Sequence, residues 1–265
     1  MDAIENMKEA ARELWSTFSP FESITGTAAP ALVRFAGVQS GQKVLDVGSG
    51  TGVVALTAAR TGAQVTGSDL SPALLNRARE NAALAKLDIP FEEADVENLP
   101  YADESFDFVL SQFGHMFGPQ PEKTTSEMLR VLKRGGTICF STWPPELFTG
   151  RMFVLIGGVV PPPPEGASPP VLWGDPAVVR ERLQSGCENI VFHRSRMNFP
   201  ALSPAHMRLF LEANVGPVTK AVQIMQQDPD KLEDFRMKLD ALIGEYFENN
   251  SVNQDFLITR ATKTR

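Results

Sequence analysis

From residue 42 to residue 143 short apolar runs alternate with segments of helical length. QKVLDV, AQVTGSD, IPFEEADV, SFDFVLSQF and TICFSTW are rich in Val, Ile and Phe and read as five successive strands. Between them lie TGVVALTAARTG, stopped by Gly62, and a segment from Ser71 to about Leu87. PEKTTSEMLRVLKRGG follows the fourth strand. All three read as helices. Ser71-Pro72 supplies an N-cap and a first-turn proline, and a glycine pair is placed to close the third helix. Strands separated by helices imply a parallel sheet covered on both faces. Right-handed crossovers then make it a doubly wound α/β sheet.

After Trp143 the rhythm changes. Pro161 to Pro164 can be neither helix nor central strand and should run extended. DPAVVRERLQSG reads as a helix capped by Asp175, and NIVFHRSRMNF as a strand. Helices follow over about Pro204–Gln227 and Pro229–Asn249, and DFLITRATK is a final strand.

Composition narrows the class without changing this picture. The chain has 265 residues, 43% hydrophobic and 22% charged, which suits a globular protein of one large domain with an appended or inserted cap. A net charge of -7 with no basic block argues against a nucleic-acid surface. Cys139 and Cys187 are the two cysteines, and no metal-ligand spacing occurs, so neither a disulfide framework nor a metal site is expected. The N-terminal stretch lacks an apolar signal core and no run approaches the ~18 apolar residues of a membrane span. A cytoplasmic location is the expectation.

The chemistry gathers at VLDVGSGTG, the first strand-to-helix turn. Gly48, Gly50 and Gly52 recur at every second position, whereas the dinucleotide fingerprint places its third glycine three residues after the second. Glycines let the backbone approach a ligand, and the following helix offers free N–H groups. Asp46 suits the ammonium and sulfonium of S-adenosylmethionine (SAM) better than a pyrophosphate. Asp69 ends the second strand and can accept both ribose hydroxyls, which serves NAD and SAM alike. Asp95, after the third strand, can take an adenine amino group.

DVGSGTG, GSDLS, ADVENLPYADESFDFVLSQF and EMLRVLKRGGTICFSTW, in that order, resemble the motifs of class I SAM-dependent methyltransferases. They are most similar to the methyltransferase type 11 group that includes ubiquinone and menaquinone biosynthesis enzymes. The resemblance covers about residues 40–143 and the last strand. It implies a Rossmann-like, seven-stranded, mostly parallel sheet, with DFLITRATK inserted antiparallel between TICFSTW and NIVFHRSRMNF. Residues 1–40 would form an N-terminal helical lid and 41–265 the SAM-binding domain, with a helical cap at about 203–249. Gly48, Ser49 and Gly50 would line the methionine half of SAM, with Asp46 on its amino group. Asp69 would hold the ribose and Leu70 pack on adenine. Asp95 and Val96 would read the adenine edge, and Ser111 and Gln112 lie near the sulfonium.

The implied reaction is in-line methyl displacement onto a small-molecule acceptor. His115 is the candidate general base where that acceptor carries a proton. His193 and His206 read as surface residues and Cys139 as a buried strand residue. Trp15, Phe18 and Phe21 could fold over the cofactor. Met152, Phe153, Met207, Phe210, Leu211 and Met225 could line an acceptor pocket or be ordinary core. An NAD-dependent oxidoreductase and a non-catalytic SAM-binding module stand as alternatives.

Overall fold

A computed structural model describes residues 3–264; residues 1, 2 and 265, the extremes of the expected 1–40 and 41–265 units, lie outside the described residues. The chain begins with helix α1 (Ala3–Leu14), a 3-10 turn (Ser16–Phe21), α2 (Glu22–Thr25) and α3 (Ala29–Ala36). The alternating half follows as β1 (Lys43–Val47), α4 (Val53–Ala59), β2 (Gln64–Asp69), α5 (Pro72–Leu84) and β3 (Phe91–Glu93). It continues through β4 (Phe106–Gln112), α6 (Pro121–Val131) and β5 (Leu132–Thr142). Then come α7 (Phe148–Gly157), α8 (Pro176–Leu183), β6 (Cys187–Pro200), α9 (Pro204–Asn214), α10 (Gly216–Met225) and α11 (Pro229–Tyr246). The two-residue β7 (Phe247–Glu248) and the long β8 (Ser251–Lys263) end the chain.

The sheet runs β3-β2-β1-β4-β5-β8-β6, with β7 paired on β8. β1 to β5 pair in parallel, and β8 is antiparallel to both β5 and β6. The last strand therefore inserts where the resemblance implies. β1 and β4 are the most apolar strands and occupy the middle, where helices cover both faces. Asp175 caps α8 as expected, its carboxylate accepting the Ala177 N–H at 2.8 Å. No described helix is long and apolar enough to cross a membrane.

The seven expected strands are all present, and Asn249 and Asn250, both at positive φ, turn the two-residue β7 back onto β8 as an eighth. Three local expectations are corrected. The third helix ends at Val131, and Leu132 to Gly136 belong to β5. The glycine pair thus sits at a register shift between Phe106 and Phe108 instead of capping a helix. The predicted helix over Pro204–Gln227 is two helices, broken at Val215, where Pro217 fits the first turn of a new helix but not the interior of a continuous one. Ser71 stands at the N-cap of α5, yet its hydroxyl donates to the Arg12 carbonyl at 3.2 Å and caps nothing.

One feature of the antiparallel edge matters for the site. β5 stops pairing with β8 at Thr142–Leu257, while β8 continues to Ser251 paired with β6 and, at Val252 and Ser251, with the short β7 as well. Residues 195–200 and 251–256 thus form a two-stranded arm beyond the end of β5. α9 packs against α11, α10 and the 3-10 turn, and α11 against α7.

Candidate functional site

The carboxyl ends of β1, β2, β3 and β4 open into a cavity of about 220 Å³, where doubly wound sheets bind ligands. α1, the 3-10 turn, α7, α9 and the β6–β8 arm contribute further walls.

The glycine turn forms the floor. Gly48 and Gly50 have φ of +62° and +54°, in the left-handed region that favours glycine. A Cβ on Gly50 would meet no atom within 4 Å, so its face is open to the cavity. Ser49 shares this wall, its N–H bonded to the Ser68 carbonyl at 2.9 Å. Asp69 lies half-buried beside them. Its Oδ2 accepts the Gly50 N–H at 2.8 Å and its Oδ1 the Ser71 N–H at 2.9 Å. The second acid thereby fixes the glycine turn while each oxygen keeps a second lone pair. Burial pushes the Asp69 carboxyl above its ordinary value, against those backbone donors.

Leu70, Asp95 and Val96 continue the wall. Asp95 is already engaged: Oδ2 pairs with the Lys8 ammonium at 2.7 Å and Oδ1 accepts the Glu97 N–H at 2.9 Å. Lys8 also pairs at 2.7 Å with Glu97, which is 7% exposed. Burial works against the Lys8 charge, but its two carboxylate partners outweigh that and raise its pKa. Lys8 was not singled out from the sequence, because nothing local distinguishes it from the other charges of α1.

Three expected site residues stand behind the wall. Asp46 is 1% exposed and does not line the cavity; its Oδ2 accepts the Ala55 N–H at 2.9 Å, tying β1 to α4. Burial, opposed by that N–H and reinforced by the Asp69 charge, leaves its carboxyl pushed up to about 8. A carboxyl held so braces the turn from behind. Ser111 is fully buried, donating to the Val47 carbonyl at 2.6 Å and accepting the His115 N–H at 3.0 Å.

The expected general base is the clearest correction. His115 is fully buried, with Phe140 and Trp173 at ring-centroid distances of 4.5 and 4.8 Å, and lines no part of the cavity. Burial, helped by the Arg182 charge, lowers its pKa to about 3. A neutral imidazole sealed in the core cannot take a proton from a substrate in the cavity. Its side chain points away because the chain reverses at Phe113, whose φ of 63° is unusual for an aromatic residue.

That reversal builds the far end of the cavity. Gln112 lines it and donates Nε2 to the Thr25 carbonyl at 2.8 Å. The Phe113 ring stacks on Trp143 at 3.9 Å and 10°. Trp15, Phe18 and Phe21 all reach the wall, as do Met152, Phe153 and Leu211. Met207, Phe210 and Met225 do not: Met207 and Met225 are core, and Phe210 packs on Phe21 at 4.9 Å. Gln254 on β8 and Thr149 on α7 also line it, joined by a 2.9 Å hydrogen bond. They lie 105 positions apart in the chain, so no sequence spacing announces them. His193 and His206 are exposed, and Cys139 is buried.

Comparison with known proteins agrees with this architecture. Residues 45–140 match the Methyltransferase domain family. The uncharacterized protein Rv1403c of Mycobacterium tuberculosis is 34% identical over 243 residues, 91% of this chain and 89% of that protein. The ubiquinone/menaquinone biosynthesis C-methyltransferase UbiE of Bdellovibrio bacteriovorus is 42% identical over 110 residues, 40% of this chain and 46% of its own. Among solved structures, Haemonchus contortus phosphoethanolamine N-methyltransferase 2, in complex with phosphomonomethylethanolamine and S-adenosylhomocysteine (SAH), superposes with a TM-score of 0.57. It is 19% identical, covering 90% of this chain and 53% of that one. On the nearly full-length likeness the chain belongs to one family with Rv1403c, and its glycine turn and central strands, residues 45–140, carry a Methyltransferase domain.

Proposed function

We propose that the protein transfers the methyl group of SAM to a small-molecule acceptor by in-line displacement. The observation that carries this reading is the Asp69–Gly50 junction. A carboxylate oriented by the Gly50 and Ser71 N–H groups keeps one lone pair per oxygen for a vicinal diol, next to a glycine with no Cβ in the way. Bound there, SAM supplies a methyl group already activated by its positive sulfur.

The chain's own residues would then act by holding and enclosing. Asp69 takes the ribose hydroxyls, Leu70 and Val96 flank the adenine, and Gly48, Ser49 and Gly50 line the methionine half. Asp95 is offered to the adenine amino group while already held by Lys8. Residues 3–36 serve as a lid, with Trp15, Phe18 and Phe21 in the roof, and 203–249 as a cap. The described walls contain no unengaged titratable side chain, so rate enhancement rests on alignment and exclusion of water. An acceptor with an acidic proton loses it without help from His115.

Calorimetry with SAH on wild type and Asp69→Ala tests the reading. Two hydrogen bonds to a carboxylate are worth about 1.5–3 kcal/mol each, so the variant should bind at least about a hundredfold more weakly. Equal affinity would overturn the ribose assignment, and absence of SAH binding by the wild type would overturn the function.

A further inference from the structure

We infer that Asn81 is a positioning residue of the methyl-donor site, with Glu22 the anchor behind it. Together they hold the glycine turn in its binding shape and fasten it to the roof of the cavity. This rests on the cavity being a SAM site and concerns residues that stand outside its wall.

The turn needs holding. Gly48, Gly50 and Gly52 all stand at positive φ, +62°, +54° and +83°. Glycine loses more conformational freedom on ordering than any other residue, so a turn with three of them keeps one shape only where other elements fix it. β2 fixes one side: the Ser68 carbonyl accepts the Ser49 N–H, and the Asp69 carboxylate accepts the Gly50 N–H. α5 fixes the other. Asn81 Nδ2 donates to the Thr51 carbonyl at 3.1 Å, between the second and third glycines. Thr51 is itself buried and lines the cavity.

Asn81 is held in turn. Its Nδ2 also donates to Glu22 Oε2 at 2.9 Å, and Arg77 donates Nε to the same oxygen at 3.0 Å. Arg77 and Asn81 are four positions apart on α5, so both reach Glu22 from one stripe of the helix. Hydrogen bonds from Arg77 foremost, joined against burial by Asn81 and Thr51, hold the Glu22 carboxyl below its ordinary value. Phe21 and Thr25, on either side of Glu22 in the chain, both line the cavity, and the Thr25 carbonyl accepts Gln112 Nε2 at 2.8 Å. One amide thus bridges the turn on the floor and the segment that forms the roof. A ligand that touches both surfaces binds more tightly when they are already in register, because less ordering is left for binding to oppose.

Calorimetry of SAH binding well below the unfolding temperature tests this, since it reads the affinity of the folded protein and not its global stability. Asn81→Ala should bind SAH about three- to tenfold more weakly than wild type, the size of one lost hydrogen bond to the turn. Asn81→Gln keeps the amide and should recover most of that loss. Glu22→Gln should weaken SAH by a smaller factor. The double variant Glu22→Gln/Asn81→Ala should lose less than the product of the two single losses, as groups in one network do. Val179→Ala, a core change in α8 away from the cavity, should lower Tm and leave SAH affinity as in wild type. Unchanged affinity in Asn81→Ala, no recovery in Asn81→Gln, or an equal loss in Val179→Ala would overturn the inference. If Asn81→Ala does not fold, Glu22→Gln decides: wild-type affinity there overturns the inference as well. Absence of SAH binding by the wild type would overturn the methyl-donor reading and this inference together, whereas wild-type binding with unchanged variants overturns this one alone.

Discussion

Gly48 and Gly114 meet backbone to backbone: a Cβ on Gly48 would lie 2.8 Å from the Gly114 Cα, and one on Gly114 would lie 2.4 Å from the Gly48 carbonyl oxygen. The glycine turn after β1 is thus wedged against the reversal after β4, and the two loops share one position. Gly114 has a negative φ that alanine tolerates, so Gly114→Ala tests the contact alone. The obstructing atoms are backbone and cannot swing aside. The variant should lose about 1–3 kcal/mol of stability in thermal or denaturant unfolding, as overpacking does. SAH affinity should fall at least about tenfold because the turn is displaced, the size of losing one hydrogen bond to it. A variant with wild-type SAH affinity would show the turn does not depend on this contact.

The buried His115 makes stability depend on pH in acid. Its folded pKa, lowered to about 3, lies below the unfolded value of about 6.5, so the unfolded chain binds the proton more readily. The stabilisation from keeping it neutral is full above about pH 6.5 and disappears as pH falls toward 3. His115→Leu should flatten the fall in Tm over that window. Its pH–rate profile, once an acceptor is in hand, should superimpose on that of the wild type. Loss in the variant of the acid-side limb, where the rate rises with pH, would restore the histidine as a base.

Asp46 has the opposite sign. A carboxyl pushed up to about 8 in the fold and near 3.9 in the unfolded chain holds its proton only when folded over the interval between. Stability contributed by the protonated form is lost as pH rises from about 4 to about 8, then stays level. Asp46→Asn keeps an oxygen for the Ala55 N–H and removes the titration. Its Tm relative to wild type, measured without ligand, should rise across that interval. A difference that stays constant with pH would mean Asp46 is ionised throughout.

Lys8 ties α1 to the wall that follows β3 through Asp95 and Glu97. Lys8→Met keeps the apolar stem and removes the charge, leaving Glu97 buried without its cation. Amide exchange across residues 3–14 should accelerate, while exchange in β1 and β4 stays as in wild type. Uniform acceleration across the chain would mark a global loss of stability instead of a released α1.

Much of the fold was legible because local physics writes it. The five parallel strands announce themselves as short runs rich in Val, Ile and Phe, and Gly48, Gly50 and Asp69 sit where a strand-to-helix turn must put them. Errors fell where local signals conflict with pairing. Leu132 looks helical but bonds to Phe106 across the sheet, and Val215 precedes a proline that starts a helix as readily as it ends one.

The sequence alone determined the doubly wound sheet and the residues on the glycine turn, since these follow from periodicity and short-range spacing, and the methyl-donor family came from the resemblance of its ordered motifs. Only the tertiary structure decided which way the chain turned after Gln112. That reversal buried His115 against Phe140 and Trp173 and exposed Gln112 and Phe113 to the cavity. It also decided that Gln254 and Thr149, 105 positions apart, would share a wall, because the β6–β8 arm outruns β5. Side-chain direction at a loop is set by one backbone dihedral, and contact between distant strands by register. Neither leaves a mark on the residues nearby in sequence.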